Sequence, residues 1–380
     1  MSEQIGLNES LPKYKQIADT LRSNIANSAY GQGEKLPSDL ELSKQFDSSR
    51  LTVIRALRQL ELEGLVERKA GSGTYIGSQT RIVPHSFGLL IPDLGQGEIF
   101  EPICQGMARA GSASHQALIW GNTSGTPEDK ETQALELCKS FITRRVSGVF
   151  FAPLELAVHK EEVNDNILLL LDEARIPTVL LDRGTRPFPE PNRHDLVGID
   201  NWREGFRMAK FLIDLGCNRL GFVLRPGSAP TVDARIAGLS EALRQVGSNL
   251  PAECILRDNP TDKSLIQKWF SEVRPDGILC ANDYTAGQLM HSLLNSGIKV
   301  PGDVRVVGFD DVKYASLLPV PLTTLRQPCF EIGMAAMQAM LARLEDPLMV
   351  PRTISLDCEI IVRESCGSNI SQGIASTVAG

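Results

Sequence analysis

Residues 35–76 read KLPSDLELSKQFDSSRLTVIRALRQLELEGLVERKAGSGTYI, and this stretch decides the fold of the N-terminal part of the chain. Ser38 is followed three residues later by Glu41, which forms a capping box and predicts that a helix begins here. The polar break Asp47-Ser48-Ser49 offers the cap of a second helix. That helix carries a predicted buried stripe made of Val53, Leu57 and Leu60. The sequence therefore predicts two short helices separated by a tight turn.

The segment after the second helix predicts a small hairpin. Gly64 is placed to end the helix, as glycine commonly does at a C-terminal cap. Residues 65–68 and 74–76 have the pattern of two strands around a glycine-rich turn at residues 71–73. Helix, turn, helix and hairpin together make a winged helix-turn-helix. Double-stranded DNA is the first partner that such a module suggests.

The same stretch resembles the GntR family of bacterial transcription factors. Several phrases carry the resemblance in the family's order: Lys35-Leu36-Pro37-Ser38, Ser49-Arg50-Leu51-Thr52-Val53, Leu60-Glu61-Leu62-Glu63-Gly64-Leu65-Val66 and Gly71-Ser72-Gly73-Thr74. It implies a DNA-binding domain over residues 11–77. Two positions depart from the family, since Ile54 stands where a basic residue is usual and Leu40 where some relatives have an arginine. The resemblance therefore does not carry over an operator sequence.

The resemblance also implies which side chains contact the operator. A recognition helix lies in the major groove, where arginine reads guanine, and basic residues of the wing neutralise phosphates. Arg50 is the first candidate for a base contact, while Gly71 would let backbone N–H groups come close to the DNA. The full set of predicted contacts is Lys35, Ser38, Ser49, Arg50, Thr52, Arg55, Arg68, Lys69, Gly71 and Ser72. The alternative for each exposed arginine is simple solvation.

Composition and charge limit the other possibilities. A chain of 380 residues predicts about two or three domains, and 42% hydrophobic with 22% charged residues is ordinary for globular protein. A formal net charge of −7 argues against indiscriminate coating of nucleic acid, although residues 1–78 hold as many acidic as basic side chains. The N-terminus has no apolar signal region, and no apolar run is long enough to span a bilayer. The sequence predicts a cytoplasmic protein with no membrane partner.

The cysteines give no indication of a metal or redox site. The eight cysteines are scattered without a CxxC motif, and five histidines are too few for a zinc cluster. Most cysteines lie in apolar runs, as Cys280 does, where cysteine behaves as a small hydrophobe. The sequence therefore predicts reduced thiols, no metal ion and no cofactor.

Beyond a polar connector at residues 78–86, short apolar strands alternate with amphipathic helices. The predicted strands are 87–91, 117–120, 146–151, 178–181, 196–199, 219–224, 253–256, 277–281 and 304–309, with helices between them. Such alternation predicts an α/β fold with parallel sheets covered on both faces. Two series of this kind over residues 87–366 predict two lobes rather than one oversized sheet. The cleft between the lobes is the expected ligand site. The last segment, 367–380, is predicted to be disordered.

This body resembles the effector domain of LacI-type repressors and the related periplasmic sugar-binding proteins. The phrases that carry the resemblance are Ile91-Pro92-Asp93, Leu181-Asp182-Arg183, Ala234-Arg235-Ile236-Ala237-Gly238, Cys280-Ala281-Asn282-Asp283, Val307-Gly308-Phe309-Asp310-Asp311 and Thr323-Thr324-Leu325-Arg326-Gln327. The resemblance implies three crossovers between the lobes, near residues 182–196, 323–327 and 348–351. It also implies that a helix at residues 330–344 packs on the first lobe.

Several of these positions match ones at which family members contact a sugar. Arginine offers a planar fork of donors, carboxylates accept two hydroxyls, and amides both donate and accept. The predicted ligand contacts are Glu98, Phe100, Arg183, Arg235, Asn282, Asp310 and Gln327. Out of context, Asp310 could cap the next segment and Arg235 could pair with Asp233. Asp182 and Asp283 are expected to be structural.

The two resemblances together predict a homodimeric transcription regulator, a repressor, that binds operator DNA and a small effector. The combination is similar to the arabinose-responsive repressors, which implies a pentose or related sugar. Three alternatives remain: a sugar-binding transport component, a dimeric DNA-binding scaffold without a ligand, and an enzyme. An enzyme is disfavoured because the sequence contains no nucleophile elbow and no phosphate-cradling loop. An aminotransferase-like body, which also occurs behind GntR heads, is longer and needs a lysine for pyridoxal phosphate.

Overall fold

The computed structural model of the chain describes residues 12–26, 29–31, 33–62, 64–69, 72–76, 85–91, 99–112, 116–121 and 126–368. The chain divides into two compact units, Met1–Pro84 and His85–Gly380, which we call the head and the body. Most of the predicted connector and the predicted disordered tail beyond Ser368 lie outside the described residues. Within the described residues, no helix is both long enough and apolar enough to cross a membrane.

The described residues of the head form three helices and a two-stranded hairpin: α1 Lys13–Ala26, α2 Asp39–Gln45, α3 Arg50–Leu62, β1 Val66–Lys69 and β2 Gly73–Ile76. The predicted capping box is confirmed, because Glu41 N–H donates to Ser38 Oγ at 3.3 Å and Ser38 N–H donates to Glu41 Oε2 at 2.7 Å. The predicted stripe of α3 is fully buried against α1 and α2. Gly64 has a φ of 71°, a left-handed conformation that glycine adopts without strain. The predicted winged helix-turn-helix is confirmed.

The described residues of the body form two successive series of alternating strands and helices. Its first part has β3 Ser86–Leu90, α4 Phe100–Ser112, β4 Ala117–Trp120, α5 Pro127–Thr143, β5 Gly148–Phe151, α6 Lys160–Glu173, β6 Thr178–Leu181 and β7 Asp195–Ile199. Its second part has α7 Asn201–Asp214, β8 Leu220–Leu224, α8 Pro230–Gln245, β9 Ile255–Arg257, α9 Lys263–Val273, β10 Gly277–Cys280, α10 Asp283–Asn295, β11 Arg305–Asp310 and β12 Thr323–Arg326. The chain then forms α11 Cys329–Glu345, β13 Thr353–Leu356 and β14 Glu359–Ile361.

These strands form two six-stranded sheets, one in each lobe. The order in lobe 1 is β13-β7-β6-β5-β3-β4, and the order in lobe 2 is β14-β12-β11-β10-β8-β9. All pairs are parallel except that of β12 with β14. The central strands are buried along their whole length, as parallel strands covered by helices on both faces should be. The predicted two-lobed α/β body is confirmed.

Two of the three predicted crossovers are wrong. Leu180 on β6 pairs with Leu196 on β7, so residues 182–196 stay in lobe 1, and the first crossover lies at Asp200. The third crossover follows β13 at residues 357–358 rather than 348–351. The second lies between β12 and α11, as predicted. Strand pairing decides the crossovers, and a strand's own sequence does not show which sheet it joins.

One predicted strand is also displaced. Residues 252–254 form a single 3₁₀ turn, and the strand that was predicted at 253–256 begins only at Ile255. Cys254, at the end of that turn, is buried.

In each lobe, one pair of helices packs backbone against backbone through glycines. In lobe 1, a Cβ at Gly106 on α4 would overlap the backbone of α11, and a Cβ at Gly333 on α11 would overlap that of α4. In lobe 2, Gly205 on α7 and Gly238 on α8 stand in the same relation. The packing of α11 on α4 confirms that the helix after the second crossover returns to lobe 1.

Candidate functional site

The recognition helix α3 exposes the side chain that was predicted to read a base. Arg50, its first residue, is exposed and has no ion-pair or hydrogen-bond partner among the described residues. The neighbouring Leu51 is 78% exposed, and Ile54 is half-buried. This end of the helix therefore presents one free guanidinium beside apolar side chains, a combination that suits guanine and thymine methyl groups.

Other predicted DNA contacts are held by neighbours within the head. The hydroxyls of Ser49 and Thr52 lie 2.7 Å apart, and Thr52 N–H donates to Ser49 Oγ. The guanidinium of Arg55 stacks on the ring of Tyr14, with Cζ 4.2 Å from the ring centre. Ser38 Oγ is engaged in the capping box of α2. These contacts stabilise the head without DNA. Contact of the same residues with DNA stays a prediction.

Two of the remaining basic residues lie near one aromatic ring of the wing, that of Tyr75. The ammonium groups of Lys35 and Lys69 lie 5.9 and 5.3 Å from the centre of the Tyr75 ring. Tyr75 Oη lies 2.6 Å from Ser72 Oγ. Arg68 is ion-paired with Asp39 at 2.7 Å, so this guanidinium is not free in the head alone. An exposed ion pair of this kind contributes roughly 0–1 kcal/mol to stability, so a DNA phosphate can take the place of Asp39. Gly71 lies outside the described residues.

A cavity of about 540 Å³ lies between the two lobes of the body. Lobe 1 contributes the start of α4 and the loops after β5 and β6, while lobe 2 contributes the loops after β8, β10 and β11. The predicted ligand residues that line it are Phe100, Arg183, Arg235, Asn282, Asp310 and Gln327. The structure thus brings six of the seven together, and Glu98 lies outside the described residues.

Arg183 is fixed on the lobe 1 side of the cavity. Its Nε donates to Pro153 O at 2.8 Å, and its Nη1 donates to Asp182 at 3.1 Å and pairs with Glu155 at 2.9 Å. Its guanidinium also lies over the Phe100 ring, 5.5 Å from the centre. The contacts hold the plane of the guanidinium in one orientation, as recognition of a hydroxylated ring requires.

Arg235 is fixed in the same manner on the lobe 2 side. Its Nε donates to Asn201 Oδ1 at 2.8 Å, and its Nη1 donates to the carbonyl oxygen of Ala281. Its guanidinium stacks on the buried Phe309 ring at 4.3 Å. The surface pair with Asp233 does not form, because Asp233 pairs with Arg257 instead.

Asp310 and Gln327 face each other in the cavity. Gln327 Nε2 donates to Asp310 Oδ1 at 2.8 Å, while the buried Gln327 Oε1 has no hydrogen-bond partner among the described residues. Burial raises the pKa of Asp310 to about 7, against the opposing charge of Arg235. A buried acceptor without a donor costs about 1–3 kcal/mol, which a ligand hydroxyl would recover.

Asn282 serves two roles in the fold of the cavity. Its Oδ1 accepts a hydrogen bond from Thr285 N–H at 2.9 Å and thereby caps α10, so the amide nitrogen is the part left for a ligand. Asp283 is buried and accepts hydrogen bonds from Thr324 Oγ1 and Val312 N–H, as expected for a structural residue.

The sequence did not single out several other residues that line the cavity. Asp182, expected to be only structural, also lines it, and burial raises its pKa. Asp182 and Asp310 both have positive φ, 65° and 115°, a backbone strain that costs of order 1–3 kcal/mol each and is common at binding sites. The other unpredicted polar lining residues are Lys130, Glu155, Arg225, Thr231, Tyr284 and Tyr314. Arg225 and Tyr284 stack on each other at 5.0 Å.

Hydrogen bonds and an ion pair join the lobes at the margin of the cavity. Lys160 Nζ, on α6 of lobe 1, donates to Gly227 O at 2.8 Å and to Ser228 O at 2.7 Å in lobe 2. Leu156 N–H also donates to Gly227 O, at 2.8 Å. On another side, Lys313 of lobe 2 pairs with Glu101 of α4 at 3.3 Å. These contacts connect the two lobes beside the cavity.

The described residues contain no group of His, Cys, Asp and Glu side chains arranged to hold a metal ion. All eight cysteines lie in the described part of the chain as free thiols, and all but Cys104 are buried. The chemistry of the cavity is that of hydrogen bonding and charge pairing.

Two domain families match the chain. A model for a periplasmic binding protein-like domain matches residues 209–366, and one for bacterial regulatory proteins of the gntR family matches residues 13–76. The arabinose metabolism transcriptional repressor of Geobacillus stearothermophilus is 27% identical over 348 residues, which are 89% of this chain and 92% of that relative. The HTH-type transcriptional repressor PurR of Vibrio parahaemolyticus is 30% identical over 253 residues, 65% of this chain and 71% of that relative.

Solved structures show the same fold. The transcription regulator CcpA of Lactococcus lactis is 20% identical with a TM-score of 0.63, over 74% of this chain and 98% of that one. A transcriptional regulator CelR-cellobiose complex is 21% identical with a TM-score of 0.62, over 93% of this chain and 100% of that one.

A winged helix-turn-helix head joined to a two-lobed binding body defines a DNA-binding transcriptional regulator. The chain belongs to the HTH-type transcriptional repressors, with a head of the gntR family and a periplasmic binding protein-like body. The predicted recognition and the predicted regulatory function are confirmed, and the relatives named above are regulators rather than enzymes.

Proposed function

We propose that a neutral sugar or related polyhydroxy compound binds in the interlobe cavity and controls the affinity of the head for operator DNA. The observation that carries this proposal is the pair of Asp310 and Gln327, which line the cavity, are hydrogen-bonded to each other and leave a buried amide oxygen without a partner among the described residues. Carboxylate and amide oxygens both accept hydrogen bonds, and a hydroxylated ring supplies donors at close spacing.

The carboxylates beside the two fixed arginines reduce their charge, which favours a ligand without net charge at this part of the cavity. The guanidinium of Arg183 is balanced by Asp182 and Glu155, and that of Arg235 lies near Asp310. Each arginine still has N–H donors beyond those used in these contacts, because a guanidinium carries five. The Phe100 ring adds an apolar surface on which a sugar face can stack.

A pentose is the ligand we propose first. The relative from Geobacillus stearothermophilus is named for arabinose metabolism, and it aligns over both the head and the body. Since a buried polar site rejects ligands that leave its groups unpaired, small differences between sugars should matter.

We propose further that the regulator acts as a homodimer in the cytoplasm, on operator DNA with two half-sites. Paired heads bind half-sites whose separation mirrors the symmetry of the protein. A ligand changes operator affinity only by its differential affinity for two arrangements of the lobes, typically about 1–3 kcal/mol of coupling. The second crossover, beside Gln327, is where such a rearrangement would be transmitted between the lobes.

Thermal unfolding of the full chain with a panel of L-arabinose, D-xylose, D-ribose and D-glucose tests the proposal. A true ligand raises the melting temperature by mass action and changes operator binding in a mobility-shift titration. A chain that no sugar stabilises would be a scaffold without a ligand. If a sugar stabilises the chain but leaves operator binding unchanged, the body binds sugar without regulating the head.

The matched variants are Gln327→Leu and Gln288→Leu. Both remove a glutamine whose buried Oε1 has no partner among the described residues, but only Gln327 lines the cavity. We expect Gln327→Leu to lose the sugar-induced stabilisation and Gln288→Leu to keep it. Equal behaviour of the two variants would place the sugar elsewhere.

A further inference from the structure

A second cavity of about 390 Å³ lies at the edge of lobe 1, away from the interlobe site. Three segments build it: the turn from α6 to β6, the residues before β7, and the turn from α11 to β13. Residues Pro177, Pro347 and Pro351 form part of its wall. Proline has a fixed φ, so the wall is preformed rather than assembled around a ligand.

This cavity lies where the strands of lobe 1 begin. Ser86 O, at the start of β3, accepts a hydrogen bond from Ser147 N–H, and Pro177 O accepts one from Val149 N–H. Because β3, β5, β6 and β7 are parallel, their first residues share one edge of the sheet. The interlobe cavity lies at the opposite ends of these strands, so the two cavities do not share a lining residue.

The wall carries an excess of positive charge. Arg175 and Arg193 line the cavity, and neither guanidinium has an ion-pair or hydrogen-bond partner among the described residues. The buried Asp195 does not neutralise them, because Arg343 and Arg352 already bind it at 3.0 and 3.2 Å. Burial alone would raise the pKa of Asp195, but the hydrogen bonds from Arg352 and Arg343 outweigh it and lower the pKa. Asp195 is thus a fully paired anion.

His194 adds a polar atom of a different kind. Its Nε2 lies 3.0 Å from Asp172 Oδ1, and its buried Nδ1 has no partner among the described residues. A carboxylate only accepts hydrogen bonds, so Nε2 donates, and Nδ1 of the neutral ring is then an acceptor. Two free guanidiniums and the ring of His194 therefore line the same cavity.

We propose that this cavity binds a small hydroxylated organic anion, whose charged group pairs with Arg175 and Arg193 and whose hydroxyl donates to His194 Nδ1. Planar guanidiniums recognise carboxylate and phosphate groups through paired hydrogen bonds. The concave wall and its volume suit a compound of a few carbon atoms better than a convex polymer backbone. A hydroxy acid and a sugar phosphate share this chemistry.

Calorimetric titration of the full chain with inorganic phosphate, ribose 5-phosphate and L-malate tests the proposal. We expect ribose 5-phosphate or L-malate to bind once per chain and more tightly than inorganic phosphate, which lacks a carbon-bound hydroxyl. The double variant Arg175→Gln/Arg193→Gln should lower that affinity by about tenfold or more, since charge-assisted hydrogen bonds are lost. If none of the three anions binds at millimolar concentration, or if the double variant binds equally well, the proposal falls.

The matched control is Arg144→Gln/Arg145→Gln, which removes two exposed arginines from the same lobe. Arg145 and Arg175 both follow a helix and both have a φ of 53°, so each double variant replaces one arginine in the same left-handed conformation. The control should keep the wild-type affinity for the anion. If it loses as much affinity as the Arg175→Gln/Arg193→Gln variant does, the overall charge of the lobe and not this cavity explains the effect. The variant His194→Leu should abolish the preference over inorganic phosphate, and a preserved preference would remove His194 from the site.

Two further measurements separate this site from its alternatives. The Gln327→Leu variant should bind the anion normally, and a loss there would assign the anion to the interlobe cavity and overturn the proposal. In the absence of any anion, the double variant should bind operator DNA as the wild type does. Weaker operator binding by that variant would mean that the guanidiniums contact DNA phosphates instead.

Discussion

The recognition surface of the head and the interlobe cavity of the body hold their polar side chains in different ways. On α3 Arg50, the predicted base-reading arginine, is exposed and has no partner among the described residues. In the cavity Arg183 and Arg235 are each fixed by two or more hydrogen bonds and lie over an aromatic ring. An exposed side chain becomes ordered only when its partner binds, whereas a cavity side chain is ordered in advance.

This contrast predicts how each region responds to mutation. Loss of an independent exposed group removes one contact and leaves the fold alone, because surface substitutions usually change stability by less than about 0.5 kcal/mol. Loss of a cavity residue leaves its buried partners unpaired, so effects there should be large and non-additive. Each of the following variants tests one side of this contrast.

The largest effect is expected from Asp310→Ala. The substitution removes the acceptor for ligand hydroxyls and leaves the Gln327 amide without its partner. Because hydrogen bonds to charged groups contribute about 1.5–3 kcal/mol, sugar affinity should fall by roughly 100-fold and the effector response should disappear. Operator binding without sugar should stay as in the wild type. A normal response in a reporter assay would remove Asp310 from the ligand site.

Arg50→Ala tests the other side of the contrast. Operator affinity should weaken by about 1–3 kcal/mol, as for a base-reading arginine, with no change in the melting temperature. Arg58→Ala, on an exposed position further along the same helix, is the matched control. Unchanged affinity for Arg50→Ala in a mobility-shift titration would show that Arg50 is not at the interface. A drop in melting temperature would show that it is not an independent group.

Gly205→Ala tests whether the scaffold positions the cavity side chains. A Cβ at Gly205 would overlap the backbone of Arg235, although Gly205 does not line the cavity. We expect the free energy of unfolding to fall by about 1–2 kcal/mol, with weaker sugar binding, since overpacking forces the backbone to move. Gly287→Ala, where the added atom meets only the flexible Leu318 side chain, should be milder. Chemical denaturation compares the two, and equal losses would contradict the role of close packing.

The smallest effect is expected from pH. The pKa of Asp310 is raised to about 7, so its contribution to folding stability is present below its ordinary pKa and is lost as the pH rises through 7. Ligand hydroxyls donate to the ionised form, so sugar affinity should change in the opposite sense and increase about tenfold between about pH 6 and about pH 8. Calorimetry at several pH values measures this. Asp310→Asn should give a flat profile, and a flat wild-type profile would contradict the assignment.

The sequence predicted the head well because its signals are local. The capping box at Ser38, the break before Arg50 and the glycine at position 64 each act within a few residues of the boundary they set. The six cavity residues were predicted by resemblance, and the structure places all of them around one cavity.

What the sequence could not show depends on contacts between distant segments. The pairing of β6 with β7 moved the first crossover, and no property of residues 182–196 indicated it. Tyr14 lies far from Arg55 in the chain, yet its ring covers that guanidinium. Asp182 lines a cavity that residues of both lobes form together, which is a property of the whole body.

The hydrogen bonds from Lys160 to the carbonyl groups of Gly227 and Ser228 should affect how fast a bound molecule leaves the cavity. A molecule held between the lobes would leave more slowly while these bonds connect the lobes, so its residence time would depend on them as well as on its own contacts. Operator affinity would then return to its ligand-free value only after a delay. Lys160 would set the duration of that delay without touching the molecule whose departure it postpones.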